Sequence, residues 1–350
     1  MLISIIYKKL FIGDDEIRAV VIDREKFDKQ LAEQAISSGV KYIMGAKAVG
    51  IGDCEKNASR VFKNTIVVNF LKNSKKEKIK TKLLIGADGV NSNVAKWFNL
   101  ERPKEIIYGL IFETNLDIHD ENPVYLIISR TYIPGFFAWL IPINNKRIRF
   151  GMGITSNSNK LLKYYFDKLR KVNLKPFSNI FKNFDNNELS ANDIFVGKIP
   201  LGLIKKTYSN RVMIVGDAAC QVKPLTGGGL YYGLISAKRC AQVAVDALNE
   251  QDFSESFLSK YQRLWMKDIG TEIKQGMRLR NIFLSLNDDD IDELLDIFGQ
   301  EEFLNIINRY GDIDFPWRLV LKIIAKKPHI LKYLKKYVLD YKLRRPNKLT

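Results

Sequence analysis

Cysteine and histidine are scarce in this chain of 350 residues, and long apolar runs are missing. The three cysteines, Cys54, Cys220 and Cys240, are odd in number and lack metal-type spacing, and His119 and His329 cannot supply a cluster. A disulfide framework and a zinc site are therefore both disfavoured, and no metal is expected. Leu2 to Ile6 is too short an apolar run for a signal peptide and is followed by Lys8 and Lys9. No later run approaches the length needed to span a bilayer. A reducing cytoplasm is the expected setting.

The length and the 46% of hydrophobic residues suit two joined domains, each with its own core. Lys and Arg number 56 against 39 Asp and Glu, a net charge of +17. Such a balance fits nucleic acid, an anionic membrane or a phosphorylated substrate. The lysines are spread along the chain, however, which favours solvated faces. Only Lys72 to Lys82 and Lys332 to Arg345 form clusters, and neither carries a recognisable nucleic-acid fold.

The periodicity predicts short strands over Leu2 to Lys8 and Ala19 to Asp23, with a turn at Gly13, Asp14 and Asp15 between them. Phe27, Leu31, Ala35 and Ile36 then recur at helical spacing, and Gly39 closes that helix. Strands are expected around Tyr42 to Val49, Thr65 to Leu71 and Ile79 to Ile85. Longer strand-like runs follow at Ile106 to Phe112, Val124 to Ile128, Phe136 to Ile141 and Arg147 to Met152, as in an inserted, largely antiparallel sheet. A helix is expected near Leu161 to Val172, a buried strand at Arg211 to Val215, and a long helix from the glycines Gly227 to Gly229 to about Asn249. Beyond Phe253 the chain reads as helical, with Trp265, Met277, Leu294, Phe303 and Trp317 as core anchors. The fold class is α/β (α+β). The division reads as a dinucleotide-type domain over 1–104 and 191–252, an antiparallel-sheet domain over 105–190 and a helical region over 253–350.

The segment from Val212 to Gly233 carries the chemistry. A buried strand ends in Asp217, a loop crosses over with Pro224, and three glycines open a helix whose free amides and positive dipole end point outward. That end suits a phosphate or an electron-rich ring, the acid suits sugar or polyol hydroxyls, and glycine admits a flat cofactor. Glycine-rich strand-to-helix turns also occur without ligands. The string Gly216, Asp217, Ala218, Ala219, Pro224, Gly227, Gly229 and Gly233 is too long for that to be the better reading.

This string resembles the flavin-facing motif of the flavoproteins related to p-hydroxybenzoate hydroxylase. The resemblance implies FAD, with Asp217 on the ribityl chain and Gly228, Gly229 and Leu230 against the isoalloxazine. Leu84 to Val94, containing Asp88 and Gly89, resembles the same family's Asp-Gly motif near the FAD pyrophosphate. Val21-Ile-Asp-Arg24 resembles its arginine-bearing helix entry, and Ala48 stands by position where relatives meet the adenine. An ordinary Asp-Gly turn and a first-turn arginine are the plain alternatives.

Phe137-Ala-Trp139-Leu-Ile-Pro142, followed after eight residues by Gly151-Met-Gly153, resembles the signature of geranylgeranyl reductases, with Phe137 and Ile141 in place of tyrosine and phenylalanine. On adjacent strands these residues would wall a narrow apolar channel suited to an isoprenoid chain. A core hairpin of packed aromatics is the bland alternative. The resemblance implies reduction of unactivated double bonds in geranylgeranyl chains of archaeal-type ether lipids or a related isoprenoid. The electron donor, NAD(P)H or ferredoxin, the proton donor, the number of bonds reduced and the oligomeric state leave no mark. Cys220 and Tyr231 are the candidates for the proton, although a buried packing cysteine is the more frequent case.

One departure stands out. No Gly-x-Gly-x-x-Gly follows any early strand, although the superfamily seats the FAD pyrophosphate on one. The resemblance implies that a first βαβ unit of about 30 residues or more is missing, through a late start, a split gene or a degenerate paralogue. Two rival functions stay open: a flavin monooxygenase or halogenase on the same scaffold, and a non-catalytic isoprenoid-binding paralogue that has lost FAD. The carboxyl-terminal Leu331, Leu334, Val338 and Leu339, interleaved with Lys332, Lys335 and Lys336, suit either a helix packed on the domain with a wet lysine face or peripheral contact with an anionic membrane.

Overall fold

The computed structural model describes residues 2–4, 9–10, 22–52, 61–62, 65–115, 124–155, 159–172 and 194–335. The elements begin with β1 (Leu2–Ser4), β2 (Lys9–Leu10), α1 (Arg24–Ser37), β3 (Ala46–Ile51), β4 (Val61–Phe62), β5 (Thr65–Lys72), β6 (Lys75–Thr81), β7 (Leu84–Gly86) and α2 (Asn93–Trp97). Next come β8 (Glu105–Asn115), β9 (Tyr125–Ile128), β10 (Ala138–Asn144), β11 (Arg147–Thr155), α3 (Asn159–Leu169), β12 (Phe195–Leu201), β13 (Tyr208–Ser209) and β14 (Val212–Ile214). The helices α4 (Leu230–Glu250), α5 (Glu255–Trp265), α6 (Thr271–Phe283), α7 (Asp288–Phe298), α8 (Glu301–Tyr310) and α9 (Pro316–Lys326) complete the series. The turn expected at Gly13 to Asp15, the strand residues Ala19 to Val21, Cys54, His119, Val338 and Leu339 lie outside the described residues.

β14 is an unbroken apolar run because both of its faces are covered. Successive side chains point to opposite sides. Val212 and Ile214 pack with Val94 and Ala95 of α2 and with Ala218 to Cys220, while Met213 packs with Tyr232, Cys240 and Val243 of α4 and with Tyr261 and Trp265 of α5. β7 pairs with β14 in parallel and β13 pairs with it antiparallel. Gly86 lets α2 approach the sheet, since a Cβ there would lie 2.7 Å from Val94 Cβ.

The second sheet runs β12-β8-β11-β10-β9-β1-β2. On β11 the even positions Ile148, Phe150, Met152 and Ile154 join Leu162, Phe166 and Leu169 of α3 in one core. The odd positions include Gly151 and Gly153, and they face the other way. All four strands expected between Glu105 and Gly153 are present. The amino-terminal strand is present as β1, which pairs in parallel with β9 and so belongs to this sheet. That pairing supplies backbone partners along a strand that would otherwise be an open edge.

The third sheet groups β3, β5, β4 and β6. Here the strand expected from Tyr42 starts at Ala46, after a turn in which Gly45 takes φ +66°. The strand expected from Ile79 to Ile85 is two strands, β6 and β7, separated at Lys82 and Leu83. β6 is exposed along all but its last residue, so the Lys72 to Lys82 cluster is a solvated face there.

A π-helical turn, Met266–Gly270, joins α5 to α6 without a break. Trp265 and Phe303 are buried anchors as expected, whereas Met277, Leu294 and Trp317 are only partly buried. Arg280 of α6, itself buried, ties the helices to the large sheet: it pairs with Glu105 and donates to Gly135 O at 2.8 Å and Thr155 Oγ1 at 3.0 Å.

Candidate functional site

Where β14 runs out, the chain turns through Gly216–Ala219 and returns as the loop that starts α4. A cavity of about 510 Å³ opens at this point. Its lining comprises Arg24, Ala87, Gly89, Ile199, Val215, Gly216, Asp217, Gly227, Gly229, Leu230, Gly233, Leu234 and Ala237. Gly89, Gly216 and Gly227 hold φ between +68° and +76°, a region that costs little only for glycine. Gly229 is needed for space: a Cβ there would sit 3.0 Å from Asp217 Oδ1.

Asp217 stands at the cavity with no hydrogen bond to its carboxylate among the described residues. Burial raises its pKa above the ordinary carboxylate value. α4 starts at Gly229 with no side-chain cap, so its first amides and the positive end of the helix dipole remain available at the same wall. An unpartnered carboxylate, a glycine-lined wall and an uncapped helix start suit a flat, electron-rich ring carrying a polyol chain.

Arg24 is the first residue of α1, capped by Asp23, whose side chain accepts from Lys26 N at 3.1 Å. It lines the cavity while pairing with Asp28 at 3.2 Å. Gly89 lines the cavity too, but Asp88 turns away. Its carboxylate accepts from Ser92 Oγ at 2.6 Å and from the amides of Asn93 and Val94 at 2.7 and 3.1 Å, fixing the start of α2. Ala48 lies exposed on β3 opposite Phe70 and is not in the lining. Pro224 and Gly228 stand behind the loop. Pro224 abuts Gly276 of α6, where a Cβ would lie 3.1 Å from Pro224 Cδ, and a Cβ on Gly228 would lie 2.6 Å from Lys223 Cε. Lys223 is buried and pairs with Asp314 at 2.7 Å.

The aromatic hairpin is packed tightly. Trp139 lies opposite Gly151 across the strand pair, and a Cβ on Gly151 would be 2.2 Å from the indole. Gly153 accommodates Phe136, which stacks on Phe137 with ring centroids 4.2 Å apart. Phe137 in turn meets Trp139 edge-on at 5.7 Å. Pro142 is buried and shares strand parity with Ala138 and Leu140, on the α3 side. The hairpin touches the glycine loop through Phe136: a Cβ on Gly227 would lie 3.0 Å from both Phe136 Cζ and Ile199 Cδ1. Ile199 is a lining residue that sequence reasoning missed, because nothing in the local pattern of β12 distinguishes it from any strand isoleucine.

Cys220 and Tyr231 are not in the lining. Cys220 is buried in the left-handed conformation, φ +56°, and burial pushes its thiol up to about 12, so it keeps its proton. Tyr231 is exposed and meets Phe315 edge-on. No group of three or more His, Cys, Asp or Glu among the described residues is placed to hold a metal.

No family model matches the chain. A digeranylgeranylglycerophospholipid reductase of Methanocaldococcus jannaschii is 31% identical over 337 residues, 94% of this chain and 78% of that one. An uncharacterized protein of the same organism is 33% identical over 317 residues, 89% of this chain and 76% of that one. Among solved structures, a geranylgeranyl bacteriochlorophyll reductase-like protein of Thermoplasma acidophilum has a TM-score of 0.74 at 20% identity, over 96% of this chain and 81% of that one. A flavin-dependent halogenase has a TM-score of 0.60 at 16% identity, over 91% of this chain and 61% of that one.

Proposed function

This chain belongs to the geranylgeranyl reductase family of flavin-dependent oxidoreductases, and we propose that it saturates double bonds in the geranylgeranyl chains of archaeal-type membrane lipids or a related isoprenoid, using FAD. The observation that carries this reading is the contact of Phe136 and Ile199 with Gly227, which sets an apolar aromatic wall against the glycine-lined cavity.

In this reading Asp217 accepts hydrogen bonds from the ribityl hydroxyls, and Gly227 and Gly229 leave room for the ring. The start of α4 favours the electron-rich edge of the cofactor. When bound, the flavin supplies hydride to one alkene carbon while a proton reaches the other. Phe136, Phe137 and Trp139 orient the chain and exclude water.

The test is anaerobic incubation of the purified protein with FAD, dithionite and an unsaturated digeranylgeranyl glycerophospholipid, followed by mass spectrometry. Stepwise gain of hydrogen pairs is the expected result. No saturation under these conditions, with hydroxylated lipid formed in a parallel incubation with air and NAD(P)H, would move the chain to the monooxygenase reading, and lipid binding without flavin would favour the non-catalytic one.

Among the described residues no helix is long and apolar enough to cross a membrane. Exposed Leu331 and Tyr333, next to Lys332 and Lys335, support reversible contact with an anionic bilayer. Sedimentation with anionic vesicles at low salt tests this, and a protein that stays in the supernatant would refute it.

A further inference from the structure

Behind the glycine loop, between the carboxyl-terminal helices, lies a second cavity of about 270 Å³ whose twelve lining residues are all Leu, Ile, Val or Phe. Protein interiors are close-packed, and an apolar void of this kind stays dry and takes apolar ligands. We propose that this cavity receives the far end of the substrate's isoprenoid chain. The inference rests on the reading above, and it locates a tail site that the aromatic hairpin does not provide.

Three observations carry it. First, the hairpin has little room of its own, because Trp139 fills the space over Gly151 and Phe136 fills that over Gly153. Second, the two cavities share one loop. Leu225 lines the apolar cavity, while Gly227 and Gly229, two and four residues on, line the glycine cavity. Third, α6 runs from the aromatic cluster to the apolar cavity. Met277 packs against the core cluster that contains Phe136 and that Phe137 and Trp139 also flank, and Leu279, Ile282 and Phe283 line the apolar cavity. Pro224 against Gly276 holds that helix close to the loop.

The occupant is therefore a flexible, uncharged, branched hydrocarbon that starts at the glycine loop. At about 270 Å³ the cavity lies just under the roughly 300–1,000 Å³ of ordinary ligand pockets, so it takes part of a long prenyl chain and leaves the headgroup outside.

The experiment compares binding of geraniol and geranylgeraniol, by displacement of a fluorescent fatty-acid probe, to the wild-type protein and to Leu279→Trp. Val320→Phe, which fills the cavity from α9, is the second variant, and thermal melting identifies a variant that has lost its fold. Each filled isoprene-sized space removes several methylene burials. A folded filled variant is thus expected to bind geranylgeraniol about tenfold or more weakly and geraniol within about twofold of wild type. Unchanged geranylgeraniol affinity in both folded variants, or equal loss of the two alcohols, would overturn the proposal and leave the reductase reading standing. A wild-type protein that binds neither alcohol would overturn both.

Discussion

Asp217 and Gly229 shape the glycine-lined cavity through one close approach. The carboxylate is partly buried without a hydrogen bond among the described residues, so its charged form is disfavoured in the folded state. A carboxylate whose folded pKa is raised gives stability that is full below its ordinary value of 3.8 and is lost as pH rises through the folded pKa. Asp217→Asn is therefore expected to melt above wild type at neutral pH, with the gap closing below about pH 4, while binding flavin more weakly. Parallel melting curves across pH together with a flavin titration check both halves. Gly229→Ala separates space from stability in another way. Its φ of −102° is open to any residue, and the new methyl presses on Asp217 Oδ1 at 3.0 Å. The variant should keep its melting temperature and lose flavin affinity, whereas unchanged affinity would show that the cofactor does not use this wall.

At the scale of elements, the strand-turn-helix from β14 to α4 was legible because every part of it is local: an apolar run, an acid at its tip, then glycines at a helix start. The same locality made the hairpin of β10 and β11 readable. Other features depend on distant partners. Nothing near Leu2 points to β9, more than 100 residues away, so the strand was legible there but its partner was not. Asp88 looked like a cofactor residue, yet its carboxylate caps α2, a role visible only once Ser92, Asn93 and Val94 are in place. The apolar cavity was hidden because Leu279, Ile282 and Phe283 of α6, like Val320, Ile323 and Ile324 of α9, have helical spacing, and spacing alone does not distinguish a filled core from a hollow one. For the hairpin, Gly151→Ala would place a methyl 2.2 Å from the Trp139 ring. It is expected to cost about 1–3 kcal/mol by overpacking, and Trp139→Leu should recover part of that loss. A double-mutant cycle by denaturation measures the coupling, and additive effects would contradict the packing assigned here.

Across the whole molecule, Arg280 joins the helical region to the large sheet. Its guanidinium is buried, pairs with Glu105, and also serves Gly135 O and Thr155 Oγ1. Removing one partner of a buried pair strands the other, so Arg280→Met should cost about 3–5 kcal/mol. Urea denaturation checks this, and a loss below about 1 kcal/mol would place the pair among weak surface contacts. The same helix, α6, abuts the glycine loop where Gly276 meets Pro224. In the proposed function a flavin in the first cavity reduces an isoprenoid. The direct measurement is the visible spectrum of the protein with FAD, reduced without oxygen and then mixed with a digeranylgeranyl lipid. The oxidised flavin spectrum is expected to return on adding the unsaturated lipid and not its saturated counterpart. Return only on admitting oxygen would contradict that function.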